Sequence, residues 1–195
     1  MSRKQDIIEA ATELFSQKGF HATSTHQVAK LAEVSEGIIF YYFKTKEDIL
    51  LEIFYNSFDT FLEALEVIKD EAATGVEGLH AWVDLHFQAL ENEAKNVLIL
   101  VRDFPASLAD KDSPNRAEIT ARVEKFNQCV VAIIKRGQAD GTVGPCDPDM
   151  TALVMRSMLV GATKMGFMEE YPLQRFKKAL WDFCLQALNP NPSQA

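Results

Sequence analysis

Three helix-start signals crowd between Ser24 and Asp48. Ser24 with Gln27, and Thr45 with Asp48, have the capping-box spacing. In that arrangement a hydroxyl and an acceptor three residues on satisfy each other's free backbone N–H groups. Ser35 is a third cap, placed after the short Glu33-Val34 connection. Helices this short are not stable alone, so they must pack on one another and on a longer neighbour. That neighbour precedes them: Ile7, Ile8, Ala11, Leu14 and Phe15 recur at spacings of three and four, and Gly19 ends the run. The inward residues are expected to be Val28, Leu31 and Ala32 on the second helix and Ile39 and Phe43 on the third. Phe40 reads as a core aromatic with Phe43. Tyr41 and Tyr42 read as outward, because the inward face is already filled.

Two short helices joined by a tight turn form a helix-turn-helix, whose second helix lies in the DNA major groove with its first residues on base edges. The motif spans about 24–43. Candidate base contacts are Ser35, Glu36, Gly37 and Ile38, with Tyr41 one turn on. Tyr42 is placed to reach a phosphate with its hydroxyl. Ser24 and Lys46, at helix starts where free N–H groups favour anions, and the nearby Lys44 complete the DNA-facing set. Phosphate contacts position such a unit and base contacts specify the sequence.

The order Gly19-Phe20, Thr23-Ser24, Val28-Ala29, Ala32, Val34-Ser35, Gly37, Ile39-Phe40, Tyr42-Phe43, Lys46-Glu47 and Leu50 resembles the N-terminal domain of the TetR family of transcriptional repressors. The resemblance implies an all-helical homodimer and release of DNA on ligand binding. It also implies a DNA-binding domain over 1–61 and a ligand-binding and dimerisation domain over 62–195, about nine helices in all. Family DNA-contact roles fall on Ser24, Ser35, Gly37, Tyr41, Tyr42 and Lys46. Two positions depart from the pattern. Glu33 stands where the family often has glycine, which costs on the order of 1 kcal/mol if the turn needs positive φ. Ile38 replaces a small hydroxyl residue and offers a thymine methyl an apolar contact in place of a hydrogen bond.

The net charge of −8 is unusual for a DNA binder. The first fifty residues carry only −1 of it, leaving −7 on the remainder, so acidity lies away from the proposed DNA face. Arg3, Lys4, Lys44 and Lys46 supply local positive charge, with tight salt dependence and weak non-specific binding expected. An acidic body also argues against an anionic membrane surface. Cys129, Cys146 and Cys184 are too few and too scattered for a zinc site or a disulfide framework; Cys129 and Cys184 read as core. No apolar signal segment opens the sequence, so a cytoplasmic protein is expected. No cofactor or metal is expected. Paired carboxylates, a nucleophile elbow and a phosphate loop are all missing, which disfavours an enzyme.

Residues 46 to about 70 read as one helix with Leu50, Phe54, Phe58, Phe61, Leu65 and Ile68 inward, ~36 Å long and a link between the two domains. Gly75 and Gly78 read as a break before a helix to about Glu93. Further helices are expected from Asn96 to Phe104, from Ser113-Pro114 to Asp140-Gly141, from Asp147-Pro148, and from Pro172. The last two are apolar nearly all round, which calls for burial on two sides. Arg156 and Lys164 argue against a membrane span. A second copy of the chain is the expected cover, with Met155, Leu159, Phe176, Leu180, Trp181 and Phe183 at the interface.

Candidate lining for an effector pocket is Phe58, Phe61, Leu62, Trp82, His86, Leu100, Phe104, Phe126, Val130 and Met158, with Arg102 for an acidic head group. Few charges fall on these faces, so a small, mostly apolar effector is expected, such as a fatty acyl or aromatic compound. The expected function is a dimeric regulator, a repressor that binds a palindromic double-stranded operator and is released by the effector. The alternative is a helical ligand-binding or adaptor protein without DNA binding.

Overall fold

A computed structural model describes residues 2–102, 115–168 and 172–189, leaving out the side chains of 100–102 and 168. Among the described residues there are nine helices and no strand: α1 (Arg3–Lys18), α2 (Thr25–Leu31), α3 (Glu36–Tyr42), α4 (Lys46–Glu71), α5 (Gly75–Asn92), α6 (Ala94–Arg102), α7 (Arg116–Asp140), α8 (Pro148–Met168) and α9 (Leu173–Ala187). The chain divides into two compact units. The first comprises Met1–Thr60 and Glu93–Asp110, the second Phe61–Asn92 and Lys111–Ala195.

The first unit forms where its local chemistry dictates. Gly19 takes φ 89° and ends α1, its N–H donating to the Phe15 carbonyl. Ser24 and Gln27 close a complete capping box on α2. Thr45 and Asp48 do the same before α4, with N–H to side-chain oxygen distances of 2.9 and 3.1 Å. Ser35 sits at the N-cap of α3 in extended conformation, but its side chain makes no capping bond. Glu33 holds φ 53°, so the turn does take the left-handed conformation at which a non-glycine residue is costly. Ile7, Ala11, Phe15, Val28, Ile39 and Ile49 are fully buried at the centre. Ile99 of α6 joins that same core, and Lys95 pairs with Glu13 of α1. The N-terminal unit is therefore not a simple run of the first sixty residues.

Two inward assignments fail. Leu31 is 49 % exposed and Phe40 is 52 % exposed. A helix of seven residues has only two turns, and Val28, Ala29 and Ile39 already fill the available contact face.

In the second unit Gly75 and Gly78 are not a break but the first turn of α5. A Cβ on Gly75 would stand 2.2 Å from the Gly137 Cα, so the backbones of α5 and α7 touch. The end of α7 then caps α5. Asp140 accepts from the Gly75 N–H at 2.8 Å and Thr142 from the Val76 N–H at 3.2 Å. The Thr142 hydroxyl and the Gly75 N–H hold the Asp140 carboxyl below its usual range. Gly141 ends α7 in left-handed conformation, and Asp147 caps α8 through the Asp149 and Met150 N–H groups. The expected Ser113-Pro114 helix start and the expected helix end at Phe104 lie outside the described residues.

Candidate nucleic-acid interface

Helix α3 is anchored by one side and bare on the other. Ile39 and Phe43 are buried, while Ile38, Tyr41 and Tyr42 are 37 %, 78 % and 40 % exposed. The two tyrosine rings meet edge to face at 5.0 Å. Ser35, Glu36 and Gly37 are exposed at its start, and Lys44 just beyond its end. Gly37 has no positive φ, and an added Cβ would meet only the Ser35 hydroxyl at 3.7 Å. Nothing within this chain requires glycine there. Ser24 is exposed, but its hydroxyl accepts from the Gln27 N–H.

Lys46 differs from expectation. Its ammonium donates to the carbonyls of Phe20 at 2.7 Å and Thr23 at 2.8 Å, and lies 4.3 Å from the centre of the Phe20 ring. It ties the loop before α2 to the start of α4, and two of its three donors are taken. Lys4 likewise pairs with Glu52 at 2.6 Å. Sequence reasoning also missed Thr23, a buried hydroxyl that donates to the Gly19 carbonyl at 2.9 Å. It missed the 2.8 Å contact between His26 Nδ1 and Glu36 Oε1 as well, which joins the first turns of α2 and α3.

The effector candidates separate. Phe61, Trp82, His86 and Phe126 come together in the second unit. Phe61 lies 6.0 Å from Phe126 and 6.4 Å from His86, and Trp82 lies 5.8 Å from Phe126. Leu62 and Val130 are buried in the same unit and Met158 is half-buried. The Trp82 indole N–H is buried without a hydrogen-bond acceptor among the described residues. His86 Nε2 lies 3.1 Å from the Leu159 carbonyl and 2.8 Å from the Thr163 hydroxyl, which itself donates to Leu159. Nε2 therefore carries the proton. Burial pushes the His86 pKa down to about 4, against the opposing effect of the Leu159 carbonyl. Phe58 belongs to the first unit, where it packs on Phe54 at 5.4 Å. Phe104 and the side chains of Leu100 and Arg102 lie outside the described residues. No three His, Cys, Asp or Glu side chains converge as a metal site among the described residues.

The candidate dimer residues need correction. Met155, Leu159 and Leu180 are 9 % exposed or less, packed in the chain's own core. Phe176 is half-buried beside Phe87, and Trp181 meets His80 edge to face at 4.7 Å. Of the six, only Phe183 stands clear, at 61 %. The exposed apolar surface of α8 and α9 instead includes Met150, Leu153, Val154, Val160, Met165, Phe167, Phe183 and Leu185. Gly161 lies on it with nothing within 4 Å of an added Cβ. Cys129 and Cys184 are buried as expected, and burial pushes the Cys184 thiol up to about 11. No described helix is long and apolar enough to cross a membrane.

Comparison with known proteins matches both halves of this architecture. A family model described as bacterial regulatory proteins of the tetR family covers residues 7–53, and a tetracyclin repressor-like C-terminal domain covers 72–164. The uncharacterized HTH-type transcriptional regulator YhgD of Bacillus subtilis is 32 % identical over 82 % of each chain. The fatty acid metabolism regulator protein of the same organism is 38 % identical over 45 % of each. In structure, the transcriptional regulator FadR from Bacillus subtilis, solved in complex with stearoyl-CoA, superposes with a TM-score of 0.80. That match covers 93 % of this chain and 97 % of FadR at 23 % identity. Capped short helices around a bare recognition helix, an all-helical body and relatedness along most of its length together make this chain a member of the TetR family of bacterial transcriptional regulators, and not an enzyme.

Proposed function

We propose that the protein is a dimeric repressor that binds a palindromic operator and leaves it when a mostly apolar effector binds. The exposed face of α3 carries this reading. Ile38 and Tyr41 stand in water on a helix whose opposite side is pinned by Ile39 and Phe43. Such a face has no role in the fold. Gly37 leaves room for close approach to base edges, and the Tyr42 hydroxyl, Ser24 and Lys44 serve phosphates. Lys46 acts by holding the loop before α2, not as a free phosphate ligand.

One such helix reads only a few base pairs. Two, held about 34 Å apart, read successive major grooves on one side of the duplex. The exposed apolar surface of α8 and α9 is the one we assign to the partner copy, with Phe183 its most exposed apolar residue.

The effector reading rests on the aromatic group of Phe61, Trp82 and Phe126. An unpaired buried indole N–H is costly, on the order of 1–3 kcal/mol, and a ligand acceptor would satisfy it. Neutral, buried His86 adds no charge to that wall. An acyl thioester suits such a site: an apolar chain with one carbonyl. FadR is solved with stearoyl-CoA, in the same fold. Binding in the second unit would act through α4, which runs from one unit into the other. Its effect on DNA is limited by the effector's differential affinity for the two states. A repressor working on an operator would act in the cytoplasm.

A gel shift on DNA upstream of its own gene, with and without stearoyl-CoA, tests the whole reading. Retarded duplex released by the thioester is the expected result. A chain that retards no duplex is an adaptor instead.

A further inference from the structure

The recognition helix begins with an acid. Glu36 is the first residue of α3, on the face assigned above to a polyanion. A bare carboxylate there is repelled by phosphates. The structure supplies a partner from the neighbouring helix: Nδ1 of His26, in the first turn of α2, lies 2.8 Å from Glu36 Oε1. Both side chains are open, 74 % and 44 % exposed, so the fold has no need of the contact for burial.

The chemistry of the pair fixes what it accepts. An ionised carboxylate has no proton to give, so Nδ1 is the donor. With its proton on Nδ1 alone, the ring presents a lone pair at Nε2. Beside it stands the second Glu36 oxygen, also an acceptor. The couple offers two acceptors and no donor. In the major groove, guanine presents O6 and N7 and thymine presents O4, all acceptors. Adenine presents the N6 amino group but sets the acceptor N7 beside it. Cytosine alone presents an amino group, N4, with no acceptor next to it.

We propose that His26 and Glu36 form one base-reading unit that selects cytosine at one position of each operator half-site. This rests on the DNA-binding reading above. Glu36 accepts from the one N4 hydrogen that base pairing leaves free, and His26 holds the carboxylate in place. Base reading is thereby shared between α2 and α3, and the two are brought together by the left-handed turn at Glu33.

The test is selection from random duplexes with the full-length wild type, His26→Ala and Glu36→Gln. The wild type should enrich a cytosine in each half-site over other bases by roughly tenfold or more. His26→Ala should flatten that position while leaving the rest of the half-site unchanged. Glu36→Gln, whose amide both donates and accepts, should move the preference to adenine. Circular dichroism of each variant reports that the fold is kept. A wild type that enriches an operator without such a cytosine, or a His26→Ala chain that keeps the full preference, overturns the pair and spares the regulator reading. A wild type that enriches no duplex overturns both.

Discussion

The two units display apolar surface in opposite ways. In the first, exposed aromatic and aliphatic side chains are confined to one two-turn helix and its flank: Ile38, Phe40, Tyr41, Tyr42 and Leu31. In the second, apart from Val67 of α4, they are spread along two long helices, from Met150 to Leu185. A small patch mixed with hydroxyls and a glycine suits a polar, grooved partner. A broad, mostly apolar surface broken by few polar residues, Ser157 and Lys164 among them, suits another protein surface. Exposure alone does not tell the two apart; extent and chemistry do.

Five measurements can break or sharpen this contrast. The largest effect belongs to the second unit's packing. Gly75→Leu forces a side chain into the α7 backbone and should cost more than about 3 kcal/mol, read as a collapse of the thermal transition. Phe183→Asp should leave the fold intact but raise the dimer dissociation constant by about thirtyfold or more, as loss of a central hot spot does, seen by sedimentation. A variant that still sediments as a dimer would move the interface elsewhere.

The third is a titration. The folded-state pKa of His86 lies near 4, below its ordinary 6.5. Between these values the unfolded chain takes up a proton that the folded one refuses, so stability is full above pH 6.5 and falls toward pH 4. The loss is about 3 kcal/mol and should vanish in His86→Gln, measured by urea unfolding across that range. In the first unit, Tyr42→Ala should dimerise normally and lose operator affinity by roughly tenfold, about the cost of one charge-assisted hydrogen bond. Unchanged affinity would remove the tyrosine from the interface. The smallest effect is a gain: Glu33→Gly should raise the unfolding free energy by about 1 kcal/mol without touching assembly, because glycine takes the left-handed turn freely.

The sequence disclosed the first unit well because its rules are local. Ser24 with Gln27, Thr45 with Asp48, and Gly19 each act within one turn of the chain. Its failures are long-range. Nothing near Lys46 announces that its ammonium reaches back to Phe20 and Thr23, and nothing near His26 announces Glu36. In the second unit the difficulty was different. On α8, Met155 and Leu159 repeat at helical spacing, and so do Leu153, Val154 and Val160. Periodicity finds both faces apolar and gives no reason to choose which one the chain covers itself. Gly75 and Gly78 misled for a related reason. Read alone they punctuate, whereas beside Gly137 and Ile133 they are the thin places where two helices cross.

Ile99 carries a consequence for how this molecule is inherited and dismantled. It is wholly enclosed among residues of α1 to α4, yet it arrives from far along the chain, after the second unit has already begun. A gene fragment stopping at Thr60 would encode a reading head with a gap at its centre, weaker by about 2 kcal/mol for that one side chain. Recombination that swaps effector bodies among such regulators must therefore carry α6 along with the head, or find a body whose own helix fills the same hole.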